Sequence, residues 1–365
     1  MIEIEKPVER AILVGAPRRG TPDATHAEEH LEELARLADT AGAEVVGRLI
    51  QRVQAPDPKS YVGKGKLEEL ARLVSSAEAS LVVVDDELSP VQGKSLESAL
   101  DVRIMDRAEL ILDIFATRAR SREARLEVEL AQLEYLLPRL ARMWVHLSRI
   151  RGGIGLRGPG ETQIETDRRM IRRKISQLKK RLQKVAIHRQ VVRKGRRPIP
   201  TAALVGYTNA GKSSLLRALT GAETFVEDRL FATLDTKTRE MSLGPTRRLR
   251  LIDTVGFIRK LPHHLVASFE ATLEEAAQAD IVLHVIDASH HDWQEQVAVV
   301  DDVLNDLELD GCPVVHVFNK MDLVEHRGEF EARTGKDYEN AVSTSATRGQ
   351  IEELKNRLEE LTRKP

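Results

Sequence analysis

The sequence predicts an α/β protein in three parts: an N-terminal parallel α/β domain over 1–120, a long helical hairpin over 121–197 and a second α/β domain over 198–365. In the first and last parts, short β-branched runs alternate with helical patterns, which favours parallel sheets flanked by helices. Two long amphipathic stretches, separated by a glycine-rich segment, lie between them. With 365 residues and 41% apolar composition, the chain can form two or three domains.

The N-terminal part reads as alternating strands and helices. Strands are predicted from the runs RAILVGA, EVVGRLIQ, SLVVVDDE and DVRIM. Helices are predicted from THAEEHLEELARLADTAG, GKGKLEELARLVSSA, SPVQGKSLESAL and DRAELILDIFATRA. Gly42 supplies a helix stop, and Asp106 is a good N-cap. Asp85 and Asp86 end a strand, where open sheets place ligand sites, although an acidic turn is the simpler interpretation.

The middle part predicts two long helices. The first, from Ser121 to about Ile150, carries an apolar stripe, and Pro138 should kink or stop it. Its stripe consists of Leu126, Leu130, Leu133, Leu137 and Leu140. The segment 152–160 is rich in glycine and predicts an exposed loop. A second helix, from near Glu161 to about Lys194, has a stripe of Ile164, Ile171, Ile175, Leu178 and Leu182.

Charge is distributed unevenly along the chain. The formal net charge is -1, yet 161–197 holds 14 Lys or Arg against 3 Asp or Glu, a local excess of +11. Such a run is often a solvated helix face. Because eleven uncompensated charges would repel one another without an anionic partner, we favour binding to RNA. The candidate RNA-binding residues are Arg151, Arg157, Arg168, Arg169, Arg172, Arg173 and Lys174.

The last part contains a phosphate-binding loop. In AALVGYTNAGKSSLLRAL, an apolar strand run leads into Gly206, Gly211, Lys212 and Ser213 at the spacing GxxxxGKS, and a helical pattern follows. The glycines let backbone N–H groups face an anion, the lysine reaches the β- and γ-phosphates, and the serine hydroxyl binds Mg²⁺.

Two further segments predict the hydrolytic site. LRLIDTVGF ends a strand at Asp253, from which a carboxylate can hold Mg²⁺ through water, with the Gly256 N–H free to meet a γ-phosphate oxygen. In LFATLDTKTR, Thr233 is the candidate for closing onto Mg²⁺ and the γ-phosphate, although it could be an ordinary turn threonine. Phe257 stands where related sites often carry a water-orienting glutamine.

The run VVHVFNKMD predicts selection of guanine. A carboxylate such as Asp322 can accept from both the N1–H and the 2-amino group of guanine, whereas adenine offers neither donor. The Lys320 stem can cover the base, and Ser345 and Ala346 could present an N–H to the guanine O6. In this order the four motifs specify a GTP-binding domain.

The expected site residues follow from these motifs. Lys212, Thr233 and Gly256 are the expected catalytic residues, and Ser213, Thr233 and Asp253 the expected metal ligands, the last through water. The residues expected to contact GTP are Gly206, Tyr207, Thr208, Asn209, Ala210, Gly211, Lys212, Ser213, Ser214, Phe231, Ala232, Thr233, Leu234, Asp235, Asp253, Thr254, Val255, Gly256, Asn319, Lys320, Met321, Asp322, Ser345 and Ala346.

The sequence resembles the HflX family of translation-associated GTPases along essentially its whole length. The residues that carry the resemblance are GGIGLRGPGETQIETDRR, GYTNAGKSS, LFATLD, DTVGF and NKMD, with YVGKGKLEEL and LEVELAQLEYLLPRL upstream. The resemblance implies a Ras-like P-loop GTPase domain and a factor that binds the 50S ribosomal subunit and its rRNA and splits stalled or idle ribosomes. The guanine loop STSATRGQI departs from the family in lacking a second glycine. The chain also ends after the last GTPase helix, so the further C-terminal domain of some members is not expected.

The sequence leaves rival functions open. One is a large-subunit assembly or storage GTPase, and another is a regulatory switch that acts on proteins without RNA contact.

The only cysteine is Cys312, and no apolar run is long enough to span a membrane, so we expect a cytoplasmic protein. We expect it to be monomeric and to bind GTP or GDP with Mg²⁺. By analogy with related GTPases that carry asparagine at the position of Asn209, K⁺ is a second candidate cation.

Overall fold

The computed structural model describes residues 8–140, 159–194, 199–221, 229–244, 247–261, 277–306, 312–338 and 340–363. The chain forms two compact units, Met1–Thr117 with Arg125–Gln183, and Arg118–Ala124 with Lys184–Pro365. Within the described ranges, none of the helices combines the length and apolar composition that a membrane crossing requires.

The first unit contains a parallel sheet flanked by helices, as predicted. Its strands are β1 (Arg10–Gly15), β2 (Glu44–Ile50), β3 (Leu81–Val84) and β4 (Arg103–Asp106), in the order β2-β1-β3-β4. Its helices are α1 (Pro22–Thr25), α2 (Ala27–Ala41), α3 (Lys64–Ser76), α4 (Pro90–Leu100) and α5 (Arg107–Arg118). Gly42 ends α2 at φ 89°, and Asp106 accepts the Glu109 N–H at 2.9 Å at the start of α5, as predicted.

A buried arginine occupies the carboxyl end of this sheet. The Arg107 side chain is 1% exposed, and its guanidinium donates to Asp85 at 2.9 Å and also to Glu33. Asp86 accepts a hydrogen bond from the hydroxyl of the buried Tyr61. The two strand-end aspartates are therefore engaged inside the protein, which agrees with their simpler, structural interpretation.

Two further helices follow. They are α6 (Arg122–Leu136) and α7 (Pro159–Lys194), and a short 3-10 turn, Leu137–Arg139, follows α6. Pro138 lies in this turn, which interrupts the regular α-helix where a kink or stop was predicted. Helix α7 begins at Pro159 rather than near Glu161, because the fixed φ of proline suits the first turn of a helix.

Ion pairs connect α6 and α7. Lys174 pairs with Glu129 at 2.6 Å, and Lys179 pairs with Glu134 at 2.8 Å. These two ion pairs join the two helices of the predicted hairpin. The connecting segment 141–158, with most of the predicted glycine-rich loop, lies outside the described residues.

The second unit also confirms the predicted α/β class. Its strands are β5 (Thr201–Gly206), β6 (Lys237–Leu243), β7 (Arg247–Asp253), β8 (Ile281–Asp287), β9 (Val314–Asn319) and β10 (Ala341–Ser343). Its helices include α8 (Lys212–Thr220), α9 (Trp293–Asp306), α10 (Arg327–Asp337) and α11 (Glu352–Leu361). The sheet order is β10-β9-β8-β5-β7-β6, and β6 alone runs antiparallel to its neighbour among these strands.

Apolar side chains cover both faces of this sheet. On one face, leucines of α8 and α11 pack against alternate residues of the central strands, among them Leu283 and Val315. On the other face, Trp293 of α9 and Phe330 of α10 pack around Phe318 of β9. The sheet is therefore held between two helical layers, and the carboxyl ends of β5, β7, β8 and β9 share one edge.

Replacing Arg107 tests the role of the buried ion cluster. Arg107→Ala should lower the free energy of unfolding by about 3–5 kcal/mol, because it leaves the buried Asp85 carboxylate without its charged partner. The measurement is urea denaturation followed by circular dichroism. As a control, Arg103→Ala removes exposed ion pairs and should cost about 1 kcal/mol or less. Equal losses in the two variants would contradict this account.

Candidate active site

The phosphate loop connects β5 to α8, as predicted, and requires glycine at both ends. Gly206 has φ 149°, and a Cβ there would overlap the backbone carbonyl of Val285 on β8. Gly211 has φ 93°, and a Cβ there would overlap the side-chain amide of Asn319. The two glycines therefore let the loop lie directly against β8 and the side chain of Asn319.

Lys212 is buried beneath this loop. Its Nζ donates to the carbonyls of Gly206 and Tyr207 at 3.0 and 2.8 Å. Burial lowers the pKa of Lys212 to about 8, and the Asp253 charge opposes that shift. A Cβ on Gly256 would lie 3.0 Å from the Lys212 Nζ and 2.8 Å from the Cα of Thr208, so only bare backbone fits at this point. The ammonium and the Gly256 backbone therefore lie next to each other.

Three oxygen-bearing side chains meet at the start of α8. The Ser213 Oγ donates to the Asp253 Oδ2 at 2.7 Å and lies 2.9 Å from the Thr233 Oγ1. The other carboxylate oxygen of Asp253 is buried and accepts no hydrogen bond. Burial raises the pKa of Asp253, while the Ser213 hydrogen bond and the Lys212 charge oppose the rise. Hard oxygen donors and an unsatisfied carboxylate oxygen fit Mg²⁺, which Ser213, Thr233 and Asp253 would hold.

A small cavity of about 60 Å³ joins the predicted phosphate-binding segments. Its lining residues are Thr208, Asn209, Gly211, Lys212, Ser213, Ser214, Arg229, Phe231, Ala232, Thr233, Thr254 and Gly256. Other predicted contacts are buried in the surrounding walls, namely Tyr207, Ala210, Leu234 and Val255. Arg229 is the one lining residue that the sequence motifs did not indicate, because it precedes LFATLD without belonging to it.

Asp235 was predicted to contact the nucleotide, and the structure places its carboxylate elsewhere. It accepts the backbone N–H groups of Arg120 at 2.9 Å and Ser121 at 3.2 Å. The Ser121 Oγ in turn accepts the Ala124 N–H at 3.0 Å. Asp235, two residues after the metal-ligand candidate Thr233, therefore binds the backbone that leads into α6.

Asn319 links the two halves of the nucleotide site. The side chain is 2% exposed, and its Nδ2 donates to the Ala210 carbonyl of the phosphate loop at 3.0 Å. Its Oδ1 accepts the Ala346 N–H at 3.1 Å and the Thr344 hydroxyl at 3.3 Å. Asn319, which was predicted to contact GTP, is thus a buried link between the phosphate loop and the loop after β10.

The residues predicted to read the base lie close to Asn319. Asp322 is exposed, and a hydrogen bond from the Ser345 hydroxyl lowers its pKa, so the carboxylate is ionised at neutral pH. Lys320 adopts a left-handed conformation at φ 62°, and its Nζ pairs with Asp287 at 2.7 Å. Asp287 was missed by sequence reasoning, although its place at the end of β8 was a signal. Met321 is buried next to Asp322.

Ser345 and Ala346 use their N–H groups inside the protein. The Ser345 N–H donates to the Gln350 carbonyl at 3.1 Å, and the Ala346 N–H donates to Asn319. A guanine O6 would therefore have to share the Ala346 N–H with the Asn319 side chain.

Phe257 is paired with the phosphate loop through its backbone. Its N–H donates to the Gly206 carbonyl at 3.1 Å, and its carbonyl accepts the Thr208 N–H at 2.7 Å. The side chain is 3% exposed. The phenyl ring is thus a packing group, and it has no atom that can orient a water by hydrogen bonding.

The candidate RNA-binding residues lie on α7 as far as the structure describes them. Arg169, Arg172, Arg173 and Lys174 are exposed, Arg168 is half-buried, and Arg151 and Arg157 lie outside the described residues. A shallow depression of about 650 Å³ is lined by Glu165, Thr166, Arg168, Arg169, Arg172, Arg173 and Ser176. Four of these seven side chains are arginines, which makes the depression a basic surface.

Comparison with known proteins gives consistent matches along the chain. Residues 28–116 match a family described as GTP-binding GTPase N-terminal, 118–196 the GTP-binding GTPase middle region, and 201–320 a 50S ribosome-binding GTPase. The GTPase HflX of Caldanaerobacter subterraneus subsp. tengcongensis is 53% identical over 89% of this chain and 75% of its own length. The GTPase HflX of Escherichia coli K12 is 48% identical over 86% of this chain and 73% of its own.

A solved structure supports the fold. A GTP-binding protein from the hyperthermophilic archaeon Sulfolobus solfataricus, in complex with GDP, aligns with 98% of this chain and 99% of its own at a TM-score of 0.51 and 24% identity. At this identity the likeness concerns the fold alone.

Asp322→Asn tests the base-reading carboxylate. The variant should bind GTP at least about 100-fold more weakly and gain affinity for xanthosine triphosphate, because an amide can donate to the 2-oxo group of xanthine. Nucleotide affinities are measured by fluorescence titration with both triphosphates. Asp337→Asn, an exposed change on α10, is the control and should bind GTP normally. Unchanged guanine affinity in Asp322→Asn would show that another group reads the base.

Proposed function

Because this chain belongs to the HflX family of GTPases, we propose that it hydrolyses GTP on the 50S ribosomal subunit and uses the nucleotide to split stalled or idle ribosomes. The observation that carries the ribosomal part is the set of exposed arginines on α7. The description of the family matched by 201–320, a 50S ribosome-binding GTPase, supports the same partner.

The arginines of α7 have the chemistry of an RNA contact. Arg169, Arg172 and Arg173 are exposed beside the half-buried Arg168, and the Ser176 hydroxyl lies in the same depression. Guanidinium groups bind phosphates in a bidentate manner, and each phosphate they neutralise releases counterions, so affinity falls steeply with salt. Lys174 differs from them because it already pairs with Glu129. This surface favours rRNA as a partner over the alternative of a switch that acts on proteins alone.

The chain's own residues would act on the phosphates as follows. Ser213, Thr233 and Asp253 would hold Mg²⁺, which would offset the negative charge that develops on the phosphates during transfer. Lys212 and the Gly256 N–H would both meet the γ-phosphate, and Thr233 would close over it. Phe257 cannot position the attacking water, so the isolated protein should turn over slowly. The bound ribosome would then supply the missing group or order the segment that carries Thr233.

Two residues of the phosphate cavity offer further charge stabilisation. Asn209 adopts a left-handed conformation at φ 61° in the position that supports K⁺ in certain related GTPases, and we extend that role to this chain. Arg229 lines the same cavity with a fixed positive charge. K⁺ at Asn209 would perform the function that an arginine finger performs elsewhere.

The proposed division of labour follows the predicted domains. Residues 1–120 and 121–197 would dock on the ribosome, and 198–365 would bind GTP or GDP. We further propose a monomeric, cytoplasmic protein, as its ribosomal role requires. The rival proposal with the same chemistry is a large-subunit assembly or storage factor, which would bind 50S particles without separating subunits.

Sedimentation distinguishes splitting from assembly or storage. Added to 70S ribosomes with GTP, the protein should convert them to subunits, because docking on the 50S subunit would compete with subunit association. Sucrose-gradient profiles with GTP, GDP and a non-hydrolysable analogue give the measurement. Binding to 50S particles with 70S ribosomes left intact would reject the splitting role.

Neutralising α7 tests the RNA contact. The triple variant Arg169→Gln, Arg172→Gln, Arg173→Gln should weaken 50S binding and lower the slope of log K against log salt by about 2, because each lost phosphate contact removes about 0.7–0.9. Pelleting at several salt concentrations measures the slope. A charge-matched control replaces the exposed Arg239, Lys336 and Arg363 by Gln. An unchanged slope in the α7 variant would mean that this face does not contact RNA.

Turnover measurements test how the hydrolytic site is completed. We expect slow hydrolysis by the free protein, acceleration by 50S subunits, and higher rates in K⁺ than in Na⁺ buffer. Thr233→Ala should abolish the acceleration, whereas Phe257→Leu should preserve it, because leucine keeps the buried packing without adding a polar group. Fast hydrolysis without ribosomes would refute completion by the ribosome, and equal rates in K⁺ and Na⁺ would remove the K⁺ role.

A further inference from the structure

Two histidines lie side by side in the second unit, away from the phosphate loop. His284 of β8 and His316 of β9 occupy paired positions on these parallel strands, and their ring centroids are 5.5 Å apart. They therefore lie on the same face of the sheet. His284 is 1% exposed. In the described structure, the Nδ1 atoms of both rings are buried and have no hydrogen-bond partner. Buried polar atoms of this kind call for a ligand or an ordered water.

A carboxylate from the adjacent helix faces the same point. The Asp301 Oδ1 of α9 lies 3.5 Å from the His284 Nδ1, yet the two do not form a hydrogen bond. One ligand atom from each of the three residues lies within 4.8 Å of the others. In a tetrahedral zinc site with bonds of about 2.0–2.1 Å, neighbouring ligand atoms are about 3.3 Å apart. The pair formed by Asp301 and His284 already stands near that separation.

We propose that His284, His316 and Asp301 bind a Zn²⁺ ion. The Asp301 side chain is 45% exposed, so it can shift to close the remaining distance, and a water can complete four-coordination from the solvent side. Imidazole nitrogens select Zn²⁺ over Mg²⁺, which prefers oxygen donors such as those at Ser213. The site is therefore chemically distinct from the nucleotide-bound cation, and it does not depend on the proposed ribosomal function.

The ion would join α9 to the two strands that lead into the guanine site. His284 precedes Asp287 by three residues on β8, and His316 precedes Asn319 by three residues on β9. Zinc would replace the missing hydrogen bonds of both rings and hold these strands against the helix. Its role would be structural, and its occupancy would appear as thermal stability.

The test uses the full, untagged chain, saturated with Mg²⁺ and GDP so that the nucleotide site is filled. Calorimetric titration with ZnCl₂ should give one strong site per chain, and Co²⁺ in its place should give the visible absorption of a tetrahedral ion. At a free zinc concentration about 100-fold above Kd, Tm should rise by about 5–10 °C. Asp301→Asn and His316→Gln should each weaken zinc binding at least about 10-fold.

The second histidine pair of this unit provides the control. His290 and His291 stack at 4.9 Å beside Asp292, in the loop before α9, and His291 is exposed. The variant His290→Gln, His291→Gln should bind zinc like the parent chain. Asp301→Asn alters an exposed group, so it keeps the test decisive even if His316→Gln does not fold. Zinc binding that is absent from the parent chain, or that survives in Asp301→Asn, would overturn the proposal and leave a buried water as the partner of the two rings.

Discussion

The nucleotide site depends on the two hydrogen-bonding ends of one buried amide. Asn319 binds the phosphate loop through its Nδ2 and the loop after β10 through its Oδ1, so it sets the distance between these two loops. Strand β8 separates β5 from β9 in the sheet, and the amide bridges that gap at its edge. Gly211 allows this approach, because any larger residue would collide with the same amide.

The rest of the site follows from the edge at which parallel strands end. β5 ends at Gly206, β7 at Asp253 and β9 at Asn319, and such edges are where open α/β sheets bind ligands. At this edge the structure concentrates unusual electrostatics: burial lowers the pKa of Lys212 and raises that of Asp253. Burying either of these charges alone would cost free energy, so the structure holds the Lys212 ammonium and the Asp253 carboxylate near each other. This arrangement prepares the site to bind an anionic ligand together with a cation.

Local motifs explain what could be predicted from the sequence. The GxxxxGKS and NKxD patterns constrain a few consecutive residues, so the phosphate loop and the guanine residues could be located without a structure. The alternation of strand and helix patterns likewise allowed the α/β sheet of each unit to be predicted. Contacts between distant segments have no such local signature. Arg107 between Asp85 and Glu33, and Asp235 against the backbone of Arg120, depend on the tertiary arrangement, so neither contact could be predicted.

Asp235 connects the segment that carries Thr233 to the first turn of α6, 115 residues earlier in the chain. Together with the Ser121 hydroxyl it satisfies backbone N–H groups at the beginning of that helix, a function typically worth about 1 kcal/mol. The chain leaves the first unit at Thr117 and re-enters it at Arg125, so the residues that Asp235 binds belong to the second unit. A displacement of Asp235 would leave the Arg120 and Ser121 N–H groups without this acceptor, while the Ser121 hydroxyl would still cap α6. The loop that would sense the γ-phosphate therefore also holds the backbone immediately before α6.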